Sequence, residues 1–131
     1  MIVDSSAIIA ILRDEAGAVS CASAISSAPV SRISAANFVE AAAVIDSSRD
    51  PLASRRFDDL VRAAALVVEP VTLEQARIAR EAYRDYGRGS GHRARLNFGD
   101  CFAYALARSA GEPLLFVGDD FGYTDLESAL G

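Results

Sequence analysis

The sequence contains no lysine: all 13 of its basic residues are arginine, set against 18 acids. No lysine ammonium is available to sit among crowded carboxylates, so a cluster of acids within the chain must find its positive charge in arginine or in a bound cation. The formal charge of -5 and a pI of about 4.8 exclude a protein that coats nucleic acid by bulk electrostatics, while leaving room for a local basic groove. Histidine occurs once, at His92, with no partner that would give it general-base work. Cys21 and Cys101 lie far apart with no second Cys or His at ligand spacing, which excludes zinc and dithiol redox chemistry and leaves two reduced core residues. No run approaches the roughly 18 apolar residues of a membrane span. Met1 leads straight into Ile2, Val3 and Asp4 without a basic leader, so the expectation is a cytoplasmic protein with no membrane contact.

What the chain does have is apolar content, 51% over 131 residues, enough for one domain spanning 1–131 with a real core. Ile2 and Val3 read as a short strand ending at Asp4, and Ser5 and Ser6 open a helix through Leu12. A second helix is expected from about Glu15 to Pro29, a strand over Val30 to Ile33, and an alanine-rich helix capped by Ser34 that runs to about Arg49. On that helix the spacing groups Ala36, Glu40, Ala43 and Val44 on one face. Asp50 and Pro51 start the next helix, Leu66 to Val68 reads as a strand, and Thr72 begins a helix that ends near Gly87. Asn97 or Gly99 caps a helix from Asp100 to Ala110, and Leu114 to Val117 is the last strand. Short strands alternating with helices predict a three-layer α/β/α fold with a mostly parallel sheet of four to five strands.

In such sheets ligands bind beyond the carboxyl ends of the strands, where this reading puts Asp4 and Asp119. Asp100, at the start of an apolar helix, and Glu40, flanked by apolar neighbours, complete a plausible set of acids, with Asp120 a rival or companion to Asp119. Each has a plain structural alternative: a cap for Asp4, an arginine partner such as Arg32 or Arg108 for Glu40, turn residues for Asp119 and Asp120. Carboxylates crowded in a partly desolvated pocket call for a hard divalent cation, Mg2+ or Mn2+, of the kind that activates water for phosphodiester cleavage. The loop of Gly87 to Arg95 carries Arg88, His92, Arg93 and Arg95 beside Asp100; it suits an RNA backbone as readily as plain solvent.

Four blocks, Ile2-Val3-Asp4-Ser5-Ser6-Ala7, Ala36-Asn37-Phe38-Val39-Glu40, Asn97-Phe98-Gly99-Asp100-Cys101 and Leu114-Leu115-Phe116-Val117-Gly118-Asp119-Asp120-Phe121, resemble the PIN domain in order and across the chain. More closely they resemble VapC-type toxins of bacterial toxin–antitoxin pairs. The resemblance implies a Mg2+- or Mn2+-dependent endoribonuclease held silent by a cognate VapB-like antitoxin, as a homodimer or larger assembly. It assigns Asp4 and Asp100 as metal ligands, Glu40 to a second metal or a water, Ser6 to hydrogen bonds within the cluster, and Asp119 as the fourth acid. Many family members carry that acid where Gly118 stands here.

Receiver domains and haloacid-dehalogenase-like phosphatases also gather acids around magnesium. The first requires a lysine, and the second an aspartate where Ser6 stands. A catalytically inactive PIN-fold binding module that retains its antitoxin is the remaining alternative.

Overall fold

Strand β1 is only Ile2–Val3, and because successive side chains of a strand point to opposite faces, these two residues seed two separate cores. Ile2 and its register partner Leu114 face one side; Val3, Ile33 and Leu115 face the other. The computed structural model describes Met1 to Gly131 and shows a four-stranded sheet in which every pairing is parallel. With β2 (Arg32–Ser34), β3 (Val67–Glu69) and β4 (Leu114–Leu115), the spatial order is β3-β2-β1-β4. The expected layered α/β architecture is therefore present.

Helices α1 (Ser5–Leu12), α2 (Ala18–Ser27), α3 (Ala35–Asp46) and α4 (Pro51–Ala63) cover the Val3 face, with Ile8, Cys21, Ile25, Ala41, Ile45 and Phe57 buried among them. Helices α5 (Leu73–Tyr86) and α6 (Phe98–Ala110) cover the Ile2 face and pack chiefly on each other. Fully burying each large aliphatic side chain in these layers contributes about 1.5–3 kcal/mol. Five helices start on a polar side chain that accepts from the first turn: Asp4, Ser34, Asp50, Thr72 and Asn97. Such caps are worth about 0.5–2 kcal/mol each and fix where every helix leaves its strand.

Several boundaries differ from the sequence expectation. Helix α2 begins at Ala18 rather than near Glu15, because Gly17 takes φ +90° and turns the chain first. Strand β2 starts at Arg32 and not Val30, which stays exposed after Pro29. Strand β3 is Val67–Glu69, so Leu66 is the buried residue that precedes it, and Val67 and Val68 lie exposed on the sheet's edge strand. Strand β4 stops at Leu115, and beyond it the Val117 N–H donates to the Ser6 hydroxyl of α1 instead of to a neighbouring strand. Helix α3 ends at Asp46 and buries Asn37, Ala41 and Ile45; Ala43 is exposed. Its buried stripe therefore runs i, i+4, i+8 from Asn37, which leaves Glu40 on the flank facing the strand ends.

Candidate active site

Asp4 leaves β1 at the carboxyl end of the sheet, its N–H bonded to the Leu115 carbonyl (2.9 Å). Its Oδ2 accepts from the Ser6 N–H (3.0 Å) and caps α1. The capping role foreseen for this acid is real. It accounts for one oxygen only: Asp4 is 2% exposed, and its Oδ1 is buried with no partner. A buried carboxylate oxygen without a donor is costly, and burial pushes the Asp4 carboxyl up to about 7, helped by the charges of Asp100 and Glu40 and opposed by hydrogen bonding from Ser6.

Asp100 belongs to a reciprocal cap. The Asn97 side chain accepts from the Asp100 N–H (2.8 Å) and Asp100 Oδ2 accepts from the Asn97 N–H (2.9 Å). Asn97, not Gly99, is therefore the cap, and the helix begins two residues before Asp100. Burial also raises the Asp100 carboxyl above its ordinary range, with Asp120 and then Glu40 adding to the rise and Arg88 opposing it.

Glu40 has neither of the arginine partners considered. Arg32 pairs with Glu69 and Glu112, and Arg108 pairs with Asp125 (2.5 Å) and Tyr104. Glu40 Oε1 instead accepts from the Ser5 hydroxyl (2.5 Å) and the Asn37 side-chain amide (3.2 Å), both neutral donors. Its negative charge is thus left for something else to balance.

The remaining residues divide clearly. Ser6 offers its hydroxyl as acceptor to the Val117 N–H (3.0 Å), tying the exit of β4 to α1. Gly118 then turns at φ +104°, and Asp119 and Asp120 follow on the surface, Asp120 opening a 3-10 helix (Asp120–Tyr123). Of these two acids, Asp120 is the one whose charge adds to the rise at Asp100, alongside Glu40. Arg88 is the loop arginine whose charge reaches the cluster. His92 turns inward: its Nδ1 accepts from the Ala94 N–H (3.0 Å) and its ring meets Tyr86 edge-on. Arg93 lies over the Tyr123 ring, 4.6 Å from its centre, and Arg95 is exposed in the left-handed backbone region. Burial, and then the charge of Asp100, lifts the Cys101 thiol to about 11, so it is a neutral core group and not a ligand.

Sequence reasoning missed Ser5 and Asn37, the two residues that hold Glu40. Serine directly after Asp4 and asparagine one helical turn before Glu40 were the available signals.

Against known proteins, residues 1–126 match the family model described as PIN domain. The chain is 59% identical over 130 residues to Ribonuclease VapC28 of Mycobacterium tuberculosis, covering 99% of this chain and 98% of that one. The chain belongs to the VapC ribonucleases of the PIN-domain family. Ribonuclease VapC of Mycolicibacterium smegmatis is 44% identical over 126 residues, covering 96% and 97% of the two chains. The crystal structure of Mycobacterium tuberculosis VapC20, titled a sarcin-ricin-loop-cleaving toxin, superposes with a TM-score of 0.73 at 19% identity over 95% of each chain, which establishes the shared fold.

For a VapC chain the donor set is all oxygen, which suits a hard divalent cation. No three of its His, Cys, Asp and Glu side chains form a ready-made cage. A cation here would rest on one or two carboxylates and be completed by water and substrate oxygens. The partnerless Oδ1 of Asp4 is the observation that such an ion would satisfy.

Proposed function

We propose that this VapC-family ribonuclease cuts RNA phosphodiester bonds at the acid cluster, with Mg2+ or Mn2+, as the toxin of a type II toxin–antitoxin pair. The observation that carries the reading is Asp4: a buried carboxyl, raised to about 7, with one oxygen that no group of the chain serves. Buried carboxyls shifted this far cluster at sites that do chemistry.

Asp4 and Asp100 would hold the cation and Glu40 would orient the attacking water. Asp119 had the sequence-level claim to the fourth place, and the field of Asp120 at Asp100 favours Asp120 for it. A bound divalent cation supplies charge for the phosphodiester and acidifies water, the two things phosphoryl chemistry needs here. Water adds at phosphorus, one bridging P–O bond breaks, and the products are one phosphate end and one hydroxyl end. Arg88, whose charge opposes the rise at Asp100, would draw the RNA backbone towards the cluster.

The partner reading is a VapB-like antitoxin that blocks this cleft, and a homodimer of the toxin. Exposed apolar side chains support it: Leu73 and Tyr83 on α5, Phe98 on α6 and Val39 beside Glu40. An apolar groove of about 310 Å³ between α5 and α6 is lined by Tyr83, Phe98 and Phe102. No helix is long and apolar enough to cross a membrane.

The test is incubation of the purified chain with total bacterial RNA in magnesium, in manganese and in excess chelator, with the new RNA ends sequenced. Discrete cuts that vanish with chelator support the reading. Intact RNA in every condition favours an inactive binding module.

A further inference from the structure

Three features around Glu40 belong together. Asn37 is wholly buried, and its Nδ2 donates both to Glu40 Oε1 (3.2 Å) and to the Gly99 carbonyl (2.9 Å). Both partners are acceptors, so the amide has one workable orientation, with Nδ2 rather than Oδ1 towards the acid. Oδ1 is left buried and unpartnered, so the side chain is not there to satisfy itself.

Gly99 sits in the first turn of α6 with no left-handed φ, and its conformation gives no reason for glycine, the poorer helix former. Space gives the reason. A Cβ on Gly99 would collide with Glu40 Oε2 and stand 2.7 Å from its Cδ and 2.9 Å from Oε1. The Glu40 carboxylate therefore lies flat against the backbone of the residue that precedes Asp100.

We propose that Asn37 and Gly99 are positioning residues of the acid cluster: the Asn37 amide clamps the Glu40 carboxylate to the α6 backbone, and the bare Cα of Gly99 leaves the gap it lies in. This fixes the separation of Glu40 from Asp100 through a single peptide, so that α3 and α6 cannot shift independently at the site. The inference rests on Glu40 serving RNA cleavage, as proposed above.

Gly99→Ala tests it, with Glu40→Asp and the double variant as companions. The added methyl displaces the carboxylate, and an ångström of misplacement costs about a hundredfold in rate. The expected result is a kcat lowered by about that factor with the KM for RNA little changed, because no RNA contact is removed. Shortening the acid by one methylene makes room for the methyl, so the double variant should lose much less than the product of the two single losses. Wild-type kcat in Gly99→Ala, or losses that simply multiply, would overturn the proposal.

Metal-free NMR gives a readout independent of activity. The two Asn37 amide protons should be downfield and slow to exchange in the wild-type chain, and the one facing Glu40 should move upfield in Gly99→Ala; unchanged resonances would also overturn it. Should Gly99→Ala not fold, Asn37→Ala must show the same split, a lowered kcat at constant KM, and wild-type kcat there would refute the clamp. A wild-type chain that cuts no RNA would defeat the functional reading, while the NMR comparison would still decide the positioning.

Discussion

Replacing Asp4 with Asn should stabilise the metal-free fold at alkaline pH although it removes a group at the centre of the site. The Asp4 carboxyl titrates near 7 in the folded chain against an ordinary 3.8, because it is buried with one oxygen unserved. Moving a carboxyl that far corresponds to about 4 kcal/mol. The folded value lies above the unfolded one, so ionised Asp4 subtracts stability. Below about pH 4 both states hold the proton and nothing is lost; the penalty grows as pH rises and is complete above about pH 7.

In Asp4→Asn the amide oxygen still accepts from the Ser6 N–H, so the cap survives. The amide nitrogen takes the place of a partnerless oxygen and gives back about 1–3 kcal/mol of unsatisfied donor. The net expectation is a gain of roughly 1–3 kcal/mol at pH 8, or about 3–10 °C in Tm, with no gain at pH 4. Thermal scans in chelator from pH 4 to pH 8 read this directly. The same scans in magnesium should raise the Tm of the wild type, through binding to the folded state alone, and leave the variant unmoved. A variant less stable than wild type at pH 8, or one that keeps the wild-type slope between pH 4 and pH 7, would refute the account of Asp4.

Two further expectations follow from the same structure. Arg88→Ala removes a charge that holds the Asp100 carboxyl down, so the rising limb of the pH–rate profile should move to higher pH and the KM for RNA should increase; an unchanged profile would detach Arg88 from the site. Phe57→Ala empties a buried position in the α1–α4 core, where the ring tilts against Phe38, and should cost about 3–5 kcal/mol in urea unfolding without shifting the metal dependence.

Capping chemistry made much of this fold legible. Asp4, Ser34, Asp50 and Thr72 were readable as helix starts because a short polar side chain before an apolar periodic run has few other uses. The strands were less legible. With two or three residues each, they offer no full period, and their ends are decided by tertiary hydrogen bonds such as Ser6 to Val117. The face of α3 was misread because Ala43 and Ala41 look alike to a periodicity argument, and only packing shows that the stripe begins at the polar Asn37.

The acids could be picked out singly, but their surroundings could not. That Glu40 is held by neutral donors and that one Asp4 oxygen is stranded are facts of assembly between elements far apart in the chain.

The most direct test of the central claim is cleavage of one RNA preparation by the wild-type chain and by Asp100→Asn, side by side, in magnesium and in chelator. The variant keeps an oxygen for the Asn97 N–H and loses a repelling charge, so it should melt no lower than wild type in chelator. The account predicts magnesium-dependent cuts by the wild type and none by the variant. Equal cleavage by both folded proteins, or cleavage indifferent to chelator, would contradict it.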